Sequence, residues 1–547
     1  MWARNLLFIG LCLAGMLALA SSLAPINRPE QWEAVSTPQA KSDDFRKSVE
    51  SVNAEFRQDW LRQGLRPAPR ASDLTIARRI TLALTGTVPS LEEIRMFEMR
   101  AEEGRLEWWV AGLLQDRRSS DYLAERFART YVGVNEGPFV LFRRRRFVSW
   151  LSDELHQNRR YDELVRTLIA SDGLWTSEPA TNFVTAAVKP DSDEGVQENV
   201  MASRVSRAFL GVRLDCAECH DHPFEEKWKQ GDFHGLAAFF GAIDLKDGNA
   251  LTGIRDRGAV YMMQDPADPL KQKKVDPAVP FHKDLLPKEG TPRRQLAEWV
   301  THPKNDAFSK ATVNRVWALM FGRPLVEPVD NIPSSDLPPA LVTLADDFVS
   351  HDYDLSRLIN VIAATDVFRM DSASDSSENE ITDAHEEAWA SFPITRLRPE
   401  QIVGSVLQAG SLGTIDYQSH IFVRIARAAG QNEFVQRYGD TGEDEFADHG
   451  GTIPQRLLLM NGDLVKEKSE GGKLGLGATA EIARLASSEE KAVETAYLAT
   501  LTRRPTSDEA KHFTARLCEV EPDMSRKERV EDLFWTLINS TEFSWNH

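Results

Sequence analysis

Cys216-Ala217-Glu218-Cys219-His220 is the one stretch of this chain whose residue types and spacing name a chemistry directly. Two cysteines three apart can reach the two vinyl groups of a single porphyrin, and the following histidine then sets an imidazole nitrogen against the iron. CxxCH is accordingly the covalent haem-attachment pattern. On this reading Cys216 and Cys219 form the thioether bonds, His220 is the proximal iron ligand, and one haem c is implied. Three other readings stay open. The cysteines could form a redox or structural disulfide. Cys216, Cys219, His220 and His222 could bind zinc or iron without a porphyrin. The histidines could simply bond the loop backbone.

A second axial ligand is harder to read. His222 is two residues from His220, so the two cannot easily straddle one porphyrin plane. His234 falls on an expected helix, 230–240, together with Phe233, Leu236, Phe239 and Phe240. Met201, Met262 and Met263 offer thioethers, although a methionine is more often core filler. An open or water-bound sixth position would change the chemistry from electron transfer to small-molecule binding.

Other motifs carry less. Arg143-Arg144-Arg145-Arg146, flanked by Phe142 and Phe147, could hold an anionic polysaccharide or a haem propionate; a solvated helix face paired with nearby acids is the plainer reading. Gly472-Lys473-Leu474-Gly475-Leu476-Gly477 lacks phosphate-loop spacing and reads as a connector. His385-Glu386-Glu387-Ala388-Trp389 lacks the second histidine of a zinc-protease helix, and no G-x-S-x-G occurs. No pair of carboxylates stands out among 83 acids, so no catalytic residues are assigned. Asn314, Arg315 and Trp317 share an expected helix with Arg323 just beyond it, where polar packing beneath a helix end competes with a ligand cleft.

The elements that must position the Cys/His loop read as helices. Ser72 caps a helix carrying Leu74, Ile76, Ile80, Leu82 and Leu84, with Gly86 just past its end. Ser90 and Glu93 form a capping box for the next. Helical periodicity continues over 105–116, 119–132, 143–157, 161–170 and 192–210. Strand signals are weak, and 259–263 is the best short candidate. A second helical series begins at Pro292 and runs through 306–321, 338–350, 354–366, 399–412, 421–437, 478–487, 490–501, 507–520 and 527–540. An acidic, Ser-rich loop, 371–380, divides it. The expected fold is mostly α, with two helical domains joined by an irregular segment. The divisions are a signal peptide at 1–20, a linker and N-terminal helix at 21–69, a domain with the CxxCH at 70–243, an irregular connector at 244–290 and a C-terminal helical domain at 291–547.

Of the 547 residues, 42% are hydrophobic and 27% charged, an ordinary globular composition. Lys and Arg total 65 against 83 Asp and Glu, a net charge of −18. Such a chain gains little from releasing DNA counterions, so no nucleic-acid partner is expected. Four cysteines are too few for a disulfide scaffold. Arg4, the apolar run 6–20 and the ending Ala18-Leu19-Ala20 read as a cleavable export signal, placing the mature chain in the periplasm or outside the cell. Membrane attachment is expected only if that segment is retained.

The sequence resembles the planctomycete-type secreted cytochrome-like proteins, which pair two domains of unknown function. The first domain's pattern is carried by Ala77-Arg78-Arg79-Ile80, Leu84-Thr85-Gly86 and Pro89. It continues through Ser206-Arg207-Ala208-Phe209-Leu210-Gly211-Val212 into Asp215 and the CxxCH. His222-Pro223-Phe224, Trp228 and Asp232-Phe233-His234-Gly235 complete it. The second domain's pattern is carried by Asn314-Arg315-Val316-Trp317, Phe321-Gly322-Arg323-Pro324-Leu325-Val326 and Asp352-Tyr353-Asp354-Leu355. Arg398-Pro399-Glu400-Gln401, Thr452-Ile453-Pro454-Gln455, Arg503-Arg504-Pro505-Thr506 and Asn539-Ser540-Thr541-Glu542-Phe543 follow. The resemblance spans roughly residues 70–545. It implies export and a paired-domain build but no established reaction, and its cytochrome label rests on the same CxxCH. Larger relatives often carry a separate N-terminal cytochrome domain, which this chain lacks. Relatives often have an aromatic residue where His234 stands, which weighs against His234 as a family-wide ligand. The expectation is an exported mono-haem c-type protein passing electrons to an unidentified redox partner. The alternative is a non-catalytic binding or scaffold protein whose Cys/His loop is a zinc, iron or disulfide staple, associated with polysaccharide degradation.

Overall fold

Helix caps and apolar periodicity are realised closely where they can be compared. The computed structural model describes Trp32, Val35 and residues 42–547 apart from 135–143, 175, 189–195, 224, 244–252, 257, 259, 266–267, 375–379, 417–418, 420–459, 461–476 and 520–523. The expected signal segment, Arg143, the expected helix 421–437 and all of the Gly-rich stretch but Gly477 lie outside the described residues.

The fold is mostly α-helical; helices of eight or more residues are numbered in chain order. α1 (Asp43–Gln63), α2 (Asp73–Thr85), α3 (Leu91–Met99), α4 (Arg105–Gln115) and α5 (Arg117–Val132) come first. α6 (Arg144–His156), α7 (Tyr161–Ala170), α8 (Glu198–Val205) and α9 (Gln230–Ala237) follow. An antiparallel ribbon of β1 (Met262–Asp265) and β2 (Asp268–Lys274) comes next. Then come α10 (Pro292–Val300), α11 (Asp306–Phe321), α12 (Pro339–Ser350) and α13 (Leu355–Ala364). Beyond β3 (Thr395–Arg396) lie α14 (Pro399–Ala409), α15 (Ala478–Leu485), α16 (Glu489–Leu501), α17 (Ser507–Cys518) and α18 (Arg526–Ile538), and β4 (Trp545–Asn546) pairs back onto β3.

Ser72 Oγ accepts from the Thr75 amide, and Gly86, at φ 68°, closes α2 in the left-handed conformation. Ser90 and Glu93 make the reciprocal capping box of α3. Two expectations shift. The helix expected over 192–210 resolves into α8 and a π-helical turn, Ser206–Leu210, which ends at Gly211 with φ 61°. The strand expected at 259–263 is displaced to β1. Its partner β2 went unseen because Asp268–Lys274 is polar and lysine-rich, with no apolar alternation to mark it.

Apolar side chains bury into two clusters. The larger draws residues from Trp32 to Phe392, and includes Ile254, Tyr261 and Val279 from the irregular 244–290 stretch. The smaller collects Leu397 onward through Phe543, joined by Leu82 and Val88. α2 therefore serves both cores: Ile76, Ile80 and Leu84 face one, Leu82 the other. Its two arginines are buried because the C-terminal segment needs them. Arg78 donates to Thr500 O and Phe543 O, while Arg79 donates to His547 O, Phe368 O and Met370 O and lies 3.7 Å over the Phe392 ring.

α14 crosses the end of α2 at close range. Gln401 Nε2 donates to Leu82 O, and Ser405 Oγ accepts from the Val88 amide. A Cβ on Gly404 would stand 2.5 Å from Gly86 O, a backbone atom that cannot rotate away. Gly404→Ala is therefore expected to lower the unfolding free energy by about 2 kcal/mol, the cost of overpacking a close contact. Denaturant titration measures this, and wild-type stability in the variant would disprove so close an approach.

Candidate functional site

The chain enters the Cys/His loop from α8 through the π-helical turn, an irregularity that recurs at functional sites. Ile332 N donates to Gly211 O and the Arg213 amide to Asn331 Oδ1, so the approach is fastened to the segment after α11. Asp330 reinforces this, accepting from Arg207 Nε at 2.6 Å and Arg213 Nε at 2.8 Å. Burial alone would raise the Asp330 carboxyl; the two guanidiniums outweigh it and hold the group below its usual range.

Asp215–Glu218 then forms one turn of 3-10 helix. Leu214 and Ala217 are fully buried, so the turn is anchored by its apolar residues. Cys216 and Cys219 are exposed and unbridged. α9 clamps the far side of the loop. Gln230 Nε2 and His234 Nε2 both donate to Glu218 O, at 3.2 and 3.0 Å, and the Gln230 amide donates to Asp221 Oδ1. That amide, with Lys229, keeps the Asp221 carboxyl below its ordinary value.

The three histidines differ in what they leave available. His220 is exposed, and its Nδ1 lies 2.7 Å from Asp221 O. A carbonyl oxygen only accepts, so Nδ1 carries the proton and the Nε2 lone pair is left for another partner. A backbone carbonyl on Nδ1 is a common second contact of metal-bound histidines, fixing the tautomer and ring orientation. His222 is buried, and its Nδ1 accepts from the Glu225 amide at 3.0 Å; its own amide donates to Trp228 O. It staples the loop. His234 is buried with both ring nitrogens engaged. Nε2 donates to Glu218 O, and Nδ1 meets the Tyr261 hydroxyl at 2.8 Å. Burial pushes its pKa down, against the opposing pull of Glu218. Iron ligation by His234 would require giving up one of these bonds. Tyr261 O–H also lies 2.6 Å from Asn199 Oδ1, so a single tyrosine proton has two acceptors.

The methionine candidates separate too. Met201 is buried in the larger core, Met263 packs against it, and Met262 is exposed. Arg144 is buried and bound bidentate by Glu125, whereas Arg145 and Arg146 are exposed. Asn314 clamps Val326 through both backbone groups, Trp317 is core, and Arg323 lies 4.3 Å over Trp389. Polar packing accounts for these, while Arg315 reaches a cleft.

That cleft has a volume of about 1240 Å³. Its wall takes Arg129, Arg204 and Asp215 from before the loop's cysteines, Tyr261 from the ribbon region, and Arg315 and Asp330 from α11 and beyond. Asp215 and Glu218 line it, but Cys216, Cys219 and His220 do not. The loop thus shows its acids to the cleft and its sulfurs to another side. No sequence signal pointed to Arg129, Arg204 or Glu198, which come together only through tertiary packing. Among the described residues, no three His, Cys, Asp or Glu side chains converge as a metal-binding group. No helix among them is long and apolar enough to cross a membrane.

Residues 51–244 match the family described as PSCyt2, a protein of unknown function (DUF1549). Residues 292–438 match the family described as PSD1, a protein of unknown function (DUF1553). The Cys/His loop lies within the first match, and the cleft draws on both. No curated protein and no solved structure matches the chain.

Proposed function

From a chain that carries both of these paired domains, we propose an exported mono-haem c-type protein that transfers single electrons outside the cytoplasm. The observation that carries this reading is the His220 tautomer. Its Nδ1 proton is held by Asp221 O, so the Nε2 lone pair is left for another partner in the same short loop as two exposed thiols. The residues present fit a covalently held porphyrin, which asks the protein for two sulfurs and one imidazole. A structural zinc site asks for four converging ligands.

When bound, haem supplies a one-electron iron couple. The chain's own residues do the rest. Cys216 and Cys219 would carry the thioether bonds and His220 Nε2 the iron bond. Asp221 O orients the His220 ring. Gln230 and His234 hold Glu218 O, and through it the turn. The exposure of the loop leaves one edge of the site open to a redox partner.

The test is the visible spectrum of the full chain purified from its native host. A Soret band that stays with the protein through acid-acetone extraction is expected. A colourless protein holding stoichiometric zinc, or an intact Cys216–Cys219 disulfide, would replace this reading with the staple. His220→Ala should keep the covalently bound pigment but shift its iron spectrum, because the thioether residues are untouched while the nitrogen ligand is removed. An unshifted spectrum would remove His220 from the iron.

A further inference from the structure

We propose that the cleft is a separate binding site for a small polar ligand bearing an oxyanion (a carboxylate, sulfate or phosphate group), with Arg204 as its anchor. The side chain of Arg204, on α8, lines the cleft, and among the described residues it donates to neutral backbone carbonyls alone, Phe183 O at 3.4 Å and Ala186 O at 3.2 Å. Burial lowers it to about 10, which still leaves it charged at neutral pH. Among the described residues it has no carboxylate partner, and the planar fork of a guanidinium matches an oxyanion bidentately.

Most carboxylates of the wall have partners of their own, while Asp215 Oδ1 is buried without a hydrogen bond and can accept from a ligand hydroxyl. Asp330 is shared by Arg207 and Arg213. Asp215 lies 3.5 Å from Arg207, and Glu218 Oε1 accepts from Asn199 Nδ2. Glu327 is exposed at the rim. Glu198 has its carboxyl raised by burial, which favours the neutral form. A second cation is also short of partners: Arg129 Nη1 is buried without a hydrogen bond, and Glu125, which takes Arg129 Nε, is also bound bidentate by Arg144. The wall therefore has guanidinium donors left over. The acids and amides around them suit the hydroxyl groups of a polar ligand rather than an apolar body.

This inference does not depend on the porphyrin, since the sulfurs and His220 lie outside the cleft wall. The test is calorimetric titration of the full chain with sodium sulfate, sodium phosphate and sodium glucuronate at constant ionic strength. Saturable binding of at least one is expected, and comparing the three identifies the anion. Arg204→Gln should weaken that binding at least tenfold. Arg516→Gln, on an exposed helix face away from the cleft, should leave it unchanged. Ser203→Asp places a negative charge on the cleft wall without touching Arg204, and it should weaken binding by a similar factor. If circular dichroism shows Arg204→Gln misfolded, the Ser203 variant decides. Absence of saturable binding for all three salts, or wild-type binding in folded Arg204→Gln or in Ser203→Asp, would overturn the assignment.

Discussion

A Cys216→Ser, Cys219→Ser double variant matured in the native host is expected to lose all covalently attached pigment and to keep its helical circular dichroism. The thioether bonds need both sulfurs, and serine oxygen does not replace them. The fold should tolerate the change because both side chains are exposed. The buried Leu214, just before the turn, and Ala217, within it, are untouched, as are the bonds from Gln230 and His234 to Glu218 O. Exposed substitutions away from caps and ion pairs usually change stability by about 0.5 kcal/mol or less. The measurement is Soret absorbance in the protein fraction after acid-acetone extraction. Pigment that remained with the variant protein would mean attachment elsewhere and would end the role assigned to the loop.

The second large effect concerns Glu400, at the start of α14, where the two cores meet. Its carboxylate Oε1 accepts from Arg126 Nη1 at 2.6 Å, with both side chains largely buried. Burial raises the carboxyl, but Arg126, then Arg129 and Arg398, outweigh it and hold it at about 2. A folded value below the unfolded one means that the pair stabilises the native state above pH about 4.5. That contribution is lost as the pH falls toward 2. Glu400→Gln keeps the shape and a hydrogen-bond acceptor but leaves Arg126 without this partner. Removing one member of a buried pair typically costs about 3–5 kcal/mol. Glu400→Gln is therefore expected to be less stable at pH 7 by an amount of that order, and to show a shallower loss of stability between pH 4.5 and 2. Denaturant unfolding across that range measures both. Equal stability at pH 7 together with an unchanged acid limb would show that the pair contributes nothing net.

Much of the local structure could be read from residues close together in the chain. Ser72 and Gly86 bound α2, and Ser90 with Glu93 opens α3, because caps are satisfied within a few residues of the helix end. Periodicity located α7 and α11 to the residue for the same reason: the apolar stripe of a helix is written in its own turns. β2 was invisible because a polar ribbon strand is stabilised by its partner across the ladder, and its own sequence carries no alternation.

The site divides along the same line. Which atoms could hold a porphyrin is set by Cys216, Cys219 and His220, three residues within five consecutive positions, whose chemistry follows from covalent spacing alone. The sequence by itself also determined the helical class and most helix boundaries. Tertiary structure decided the rest. It tied both nitrogens of His234 to Glu218 O and Tyr261, whereas His220 Nδ1 is seated on the carbonyl of its own neighbour, Asp221. It placed α2 between two cores and gathered Arg129, Arg204 and Arg315 around one cleft. These outcomes depend on contacts between residues tens to hundreds of positions apart, where the energy of each partner is set by burial and by neighbours that no short stretch of sequence contains.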